Sequence, residues 1–352
     1  MKIKLAILDS DQNYLNRISG VFTTKYANKV EFYSFTDLAV AYRNLENAKI
    51  DVFIAGSDFD VDASILPKRC VFMYFLDSVG IESYKNQKAI CKFQKIDVIY
   101  KEVLNIYSDS VDVAFEKSSI EGNARIVMFT SAGGGVGTST LAATFAMTVA
   151  SNKYKSLYVN LEPTGSASTY FSCQGQHDFS SVIYAVKGKR PNIGTRLEST
   201  VKQDSSGVYF YDSCKLALDL DEMTIDDFNV LLTELGSAGY DYIVLDAPFS
   251  YDERYVELLK TSHRIVFVSD GSITANTKFI RAYVALEALE NRDDISICNR
   301  IGIMYNKFSK KTCTHIENGN IDVIGGVPKI EQVTIQQLLN KIQEMQVFAM
   351  LV

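Results

Sequence analysis

Residues 131–140 read Ser-Ala-Gly-Gly-Gly-Val-Gly-Thr-Ser-Thr, and four of the chain's 20 glycines fall inside this stretch. Glycine is otherwise scarce, since 20 in 352 residues lies below the common usage of about 7%. Consecutive small residues let backbone N–H groups converge on an anion. An apolar run at 126–130 precedes the cluster, and an apolar segment from about 138 to 149 follows it. Read as strand, loop and helix, the cluster opens on a helix N-terminus, whose unpaired N–H groups and partial positive charge favour phosphate. Ser139 falls in the first helical turn, where a hydroxyl can ligate Mg²⁺. A glycine-rich turn that only packs a strand against a helix is the alternative reading.

The elements that must position this loop are legible in the hydropathy pattern. In the first part of the chain, apolar runs at 4–8, 30–35, 51–56, 71–76 and 97–100 alternate with amphipathic stretches at 13–24 and 38–45. Strands alternating with helices imply βαβ units on a parallel sheet. A small doubly wound domain is expected over residues 1–120. Residues 108–125 are polar and read as the end of a helix running into a linker. A larger α/β domain is expected over 125–352. Its strands fall at 126–130, 156–161, 208–212, 242–248, 264–269, 300–306 and 322–328, and its helices include 226–235 and 277–289.

Hydrophobic residues make up 47% and charged residues 22% of the chain. That is enough for a core in each domain and excludes a disordered or low-complexity protein. The net charge of −6, with no Lys/Arg cluster, speaks against a nucleic-acid partner. Six scattered cysteines without a CxxC pair read as thiols of a reducing cytosol. The three histidines are isolated and receive no role. No apolar stretch approaches the roughly 18–20 residues of a membrane span, and the start lacks the apolar region of a signal peptide. A cytoplasmic protein without direct membrane insertion is expected. The tail at 330–352 places Ile335, Leu338, Leu339, Ile342 and Met345 on one face with Lys341 as its only lysine. Lipid-binding helices favour several Lys or Arg, so a helix packed on its own domain is expected.

The loop resembles the deviant Walker A motif of MinD/ParA-type ATPases, Lys-Gly-Gly-x-Gly-Lys-Thr-Thr. Here the pattern runs Gly133, Gly134, Gly135, Val136, Gly137, Thr138, Ser139, Thr140. The glycines match and both lysines are absent, with Gly133 at the signature lysine and Thr138 at the phosphate-gripping one. Further landmarks follow in the family's order. The segment 241–248 resembles its Walker B strand and would place Asp246 on a Mg²⁺ water. Asn160 and Glu162 stand where the family has two aspartates, the second of which polarises the attacking water. Asn306 matches an adenine-contacting asparagine, and Val327 and Pro328 match the loop that flanks the base. The resemblance spans about residue 125 to the C-terminus. It implies ATP and Mg²⁺ as cofactors and a homodimer through the second domain.

The first domain resembles a response-regulator receiver, a flavodoxin-like fold. Asp9 and Asp11 match that family's acidic pair after its first strand. Gly56 stands where the phosphoacceptor aspartate belongs, with Asp58 and Asp60 following. Lys101 matches its lysine after strand five, and Glu102 replaces the usual proline. The expected domain is therefore a pseudo-receiver.

A degenerate receiver joined to a degenerate MinD/ParA-like P-loop domain with a mostly parallel sheet resembles the CpaE/TadZ family. That family localises and helps to assemble Tad/Flp-type pili. The resemblance implies pilus assembly or secretion proteins as partners, and recruitment to a cell pole or to the pilus machinery at the inner membrane. Losing both lysines implies ATP binding with slow or absent hydrolysis, because charge stabilisation in the transition state is worth about 10³–10⁵ in rate. Lys278 and Arg281 are candidate replacement cations. An active partition-type ATPase and a nucleotide-free scaffold are the alternatives.

Overall fold

The computed structural model describes residues 2–110, 124–173, 175, 177–190, 192–309, 311, 313–316 and 321–352. The expected linker at 108–125 lies largely outside them. The chain divides into two compact units. One comprises Met1–Ser118 together with Arg190–Ser199, the other Ser119–Lys189 together with Thr200–Val352.

The first unit runs β1 (Ile3–Leu8), α1 (Gln12–Lys25), β2 (Val30–Phe35), α2 (Leu38–Asn47), β3 (Val52–Gly56), β4 (Val71–Leu76), β5 (Ser83–Tyr84), β6 (Gln87–Cys91) and α3 (Ile96–Ser110). The sheet order is β2-β1-β3-β4-β6-β5, parallel except for the β5–β6 hairpin. All five residues of β3 are buried, as a central parallel strand covered on both faces requires. One face carries a core around Ile7, Phe22, Phe75 and Tyr100. The other carries a core around Leu8, Ala41, Phe53 and Tyr74. Asp11 caps α1 by accepting the Asn13 and Tyr14 N–H groups.

The structure corrects one strand. Residues 97–100 are helical and belong to α3. The short apolar run continues as Ile99, Tyr100, Val103, Leu104 and Tyr107, all buried, and that spacing is helical. The strand that completes the parallel sheet is β6, whose buried part is only Ala89, Ile90 and Cys91.

The second unit runs β7 (Arg125–Thr130), α4 (Thr138–Ser151), β8 (Ser156–Asn160), α5 (Ser180–Lys187), then α6 (Ile193–Thr200), most of which belongs to the first unit. It continues with β9 (Lys202–Gln203), β10 (Tyr209–Phe210), α7 (Leu218–Asp221), α8 (Ile225–Gly236), β11 (Tyr242–Asp246) and α9 (Glu253–Thr261). It closes with β12 (Arg264–Ser269), α10 (Ile273–Asp293), β13 (Ile301–Phe308), β14 (Asp322–Pro328) and α11 (Ile335–Glu344). The sheet order is β14-β13-β12-β7-β11-β8-β10-β9, parallel except between β9 and β10.

Helix α4 is apolar nearly all round, with Leu141–Ala146 and Val149 among its buried residues, and such a helix belongs inside a unit rather than on its surface. Leu339 and Ile342 of α11 join the same core as Phe145 and Phe129. Gln343 of α11 also donates to the Met147 carbonyl. The tail helix thus packs on its own unit. Among the described residues no helix is long and apolar enough to cross a membrane.

Candidate functional site

Strand β7 sits between β11 and β12, so the chain crosses the sheet in both directions from it. In open α/β sheets, ligands bind outside the carboxyl ends of strands at such a switch point. The glycine loop leaves β7 at this place and enters α4. Gly135 and Gly137 have φ of +75° and +90°, which glycine adopts without strain. Gly137 is the N-cap of α4 and supplies no side-chain cap, so the helix's first N–H groups remain available to a ligand. Ser131 accepts the Gly133 N–H at 3.0 Å and so shapes the loop's start.

A cavity of about 420 Å³ opens over the loop. Loop residues 131–135 and 137–139 line it, and Glu162, Tyr170, Asp246 and Phe249 face them. Asp246 is 2% exposed. Register pairs it with Asn160 across β11 and β8, and Tyr158 lies two residues before Asn160 on the same strand face. The Tyr158 hydroxyl donates to Asp246 Oδ2 at 2.6 Å, and Asn160 Nδ2 donates to the same oxygen at 3.1 Å. Burial pushes the Asp246 carboxyl up to about 6, against the Tyr158 and Ser139 hydroxyls, which hold it down. The nearby Glu162 charge raises it further.

Asn160 has two tasks that an aspartate could not combine. Its amide donates to Asp246 while its Oδ1 accepts the Glu162 N–H at 3.1 Å. A carboxylate there would set two negative groups side by side. Glu162 is thereby turned into the cavity wall.

The sequence-assigned residues divide into two groups. Gly133, Gly134, Gly135, Gly137, Thr138, Ser139, Glu162 and Asp246 line one cavity. Val136 and Val327 are buried in the core. Thr140 lies behind the lining, hydrogen-bonded to the Tyr170 hydroxyl. Asn306 is 4% exposed and directs Nδ2 onto the Val136 carbonyl at 2.8 Å. It braces the loop from outside the cavity lining. Pro328 ends β14, paired in register with Phe308. Sequence reading missed Tyr158, Tyr170 and Phe249. A tyrosine in a buried strand carries no spacing signal until register sets a carboxylate beside it.

The donor set fits a magnesium nucleotide. A Cβ added at Gly134 or Gly135 would meet nothing within 4 Å, so the cradle is open. A serine hydroxyl and a buried carboxylate stand together at its floor. Among the described residues no group of three or more His, Cys, Asp or Glu could hold a metal by itself. A cation here would need oxygens from its ligand or from water.

In the first unit, Asp9 is 1% exposed and pairs with Lys92 Nζ at 2.7 Å. Lys92 directly follows β6, so it occupies the place assigned in sequence to Lys101, which lies on α3. Gly56 ends β3, and a Cβ there would lie 2.4 Å from Asp58 Oδ1 and 3.6 Å from Asp9 Oδ2. The Asp58 carboxylate thus fills the space that a side chain at position 56 would need. Asp60 points elsewhere, to Lys85 at 2.7 Å.

Family models match both parts of the chain. A TadZ-like receiver domain covers residues 1–108 and an AAA domain covers 124–297. No match is found among curated proteins. Among solved structures, the chain is similar to a ParA-family ATPase from Chlorobium tepidum TLS, with 22% identity and a TM-score of 0.51, over 65% of this chain and 96% of that one. It is also similar to a putative plasmid partition protein from Borrelia burgdorferi B31 bound to AMPPNP, with 19% identity and a TM-score of 0.50, over 65% of this chain and 100% of that one. At these identities the likeness is one of fold. The chain carries a TadZ-like receiver domain followed by an AAA domain that has the fold of a ParA-family ATPase.

Proposed function

We propose that the second unit binds ATP with Mg²⁺ and holds it with slow or absent hydrolysis, and that the whole chain serves the localisation and assembly of Tad/Flp-type pili. The observation that carries the nucleotide reading is the open glycine cradle with Ser139 and buried Asp246 at its floor. The TadZ-like receiver domain supports the pilus role. Ser139 would hold the metal directly and Asp246 through water; bound Mg²⁺ supplies neutralisation of phosphate charge. Glycine N–H groups and the α4 N-terminus bind and orient the phosphates. Glu162 is the residue in reach of a water on the cavity side. Its carboxylate alone does not replace the transition-state charge stabilisation that cationic groups contribute.

The proposed working form is a cytoplasmic homodimer through the second unit, recruited to a pole or to the pilus machinery. A long-lived ATP state would pin such a dimer together rather than time its release. The test is calorimetric titration of the purified chain with ATP and Mg²⁺, with phosphate release and sedimentation in parallel. The expected outcome is saturable binding, dimer formation with ATP and phosphate release near background. Rapid phosphate release abolished by Ser139→Ala would identify a partition-type ATPase instead. No heat and no thermal shift would identify a scaffold that has dispensed with nucleotide.

A further inference from the structure

The loop lacks a cation at Gly133 and at Thr138, and each place has a lysine near it from another element. Lys278, on α10, brings its Cδ to 3.9 Å from where a Cβ on Gly133 would stand. Lys307, at the end of β13, brings its Cε to 3.7 Å from a Cβ on Gly137, next to Thr138. Its Nζ donates to the Gly135 carbonyl at 2.7 Å.

Backbone geometry explains how Lys307 reaches the loop. Consecutive residues of a regular strand face opposite ways. Yet Asn306 bonds Val136 and Lys307 bonds Gly135, so neighbours on β13 serve the same loop. The pairing of β13 with β14 is irregular between Tyr305 and Phe308, and Lys307 has a φ of +55°. A left-handed lysine is strained, and such strain persists where the surrounding structure over-determines it. Here it swings an ammonium onto the phosphate loop. Both lysines are exposed, and an ammonium has three donors, of which the Gly135 carbonyl takes one from Lys307.

We propose that Lys278 and Lys307 supply, from α10 and β13, the cationic contacts to the nucleotide's polyphosphate that the loop itself does not carry. The inference rests on the ATP-binding reading above. A phosphate adds opposite-charge attraction to the hydrogen bond that the ammonium already makes with a neutral carbonyl, so Lys307 gains by exchanging its present partner.

The test uses the full chain and compares ATP with AMP by calorimetry in Mg²⁺ at low and high salt. Lys278→Gln and Lys307→Gln should each weaken ATP binding about tenfold or more, with the pair weaker still. AMP binding should fall much less, and the salt dependence of ATP affinity should flatten. Lys307→Arg should recover part of the loss. Among the described residues Lys278 makes no hydrogen bond to the loop, so Lys278→Gln and Lys307→Arg carry the test if Lys307→Gln does not fold. Unchanged ATP affinity in folded variants overturns the inference and leaves the nucleotide reading standing. Equal losses for ATP and AMP assign the lysines to loop bracing and also overturn it. An unaltered chain that binds no ATP overturns the nucleotide reading and the inference with it.

Discussion

Tyr158, in the middle of β8, reaches along the sheet to Asp246 at the end of neighbouring β11, where its phenol hydroxyl donates to the buried carboxylate at 2.6 Å. The partners are 88 residues apart in sequence. Burial raises the carboxyl at the floor of the phosphate cradle, and the Tyr158 hydrogen bond partly offsets that rise.

Burial pushes the Asp246 carboxyl from an ordinary 3.8 up to about 6 in the folded chain. Between these values the folded chain holds a proton that the unfolded chain has lost, so Asp246's contribution to stability falls as pH rises through that window. Asp246→Asn removes the cost of the buried charge. Its unfolding free energy in urea at pH 7.5, without nucleotide, should rise by about 1–3 kcal/mol. The gain should vanish near pH 4, while Mg²⁺-dependent ATP binding should be lost. A variant less stable than the parent at pH 7.5 would refute this account.

Tyr158→Phe deletes the shorter of the two hydrogen bonds that Asp246 Oδ2 accepts. Loss of a bond to a charged group costs about 1.5–3 kcal/mol. The destabilisation should be largest at pH 7.5 and shrink toward pH 5, where Asp246 is protonated. Paired urea titrations at the two pH values check it, and equal losses at both would show that only packing was disturbed.

Two glycines of the loop should respond in opposite ways to alanine. At Gly137, with φ of +90°, a Cβ would lie 2.3 Å from Asn306 Nδ2, so Gly137→Ala should cost about 2 kcal/mol of stability. At Gly134 the space is open, so Gly134→Ala should keep the parental melting temperature. The added methyl would fill the cradle instead, and ATP affinity should drop. Thermal melts with and without ATP separate the two outcomes.

Restoring an aspartate at position 56 should not restore a phosphorylatable receiver. Its Cβ would stand 2.4 Å from Asp58 Oδ1, with buried Asp9 adjacent. Gly56→Asp should lower the melting temperature and take up no phosphoryl group from acetyl phosphate, measured by intact mass. Stable phosphorylation of the variant would show that the Asp58 side chain moves aside freely.

Much of this protein is written locally. The strands at 30–35, 71–76, 264–269 and 322–328 emerge with the ends that their apolar runs imply. The glycine loop declares itself because strand, small residues and apolar helix are contiguous, and Ser139 follows by position. Helix 3 of the first unit was less legible, since Ile99 and Tyr100 fit a short strand as well as one face of a helix. Only the further spacing through Tyr107 separates the two.

Other features came from packing alone. Parallel strands join residues far apart in sequence, so the register of β8 against β11 was needed to set Tyr158 and Asn160 on Asp246. The irregular end of β13 turned Asn306 and Lys307 onto one loop, which alternation along a strand would forbid. Lys92 rather than Lys101 holds Asp9 because the last parallel strand is β6. Residues 190–199 joined the first unit, where Arg196 donates to Asn105 at 2.9 Å. Chemistry that rests on neighbouring residues could be read from order along the chain. Chemistry that rests on strand register and on side chains crossing between elements was decided by the fold, because pairing, not sequence distance, sets which groups meet.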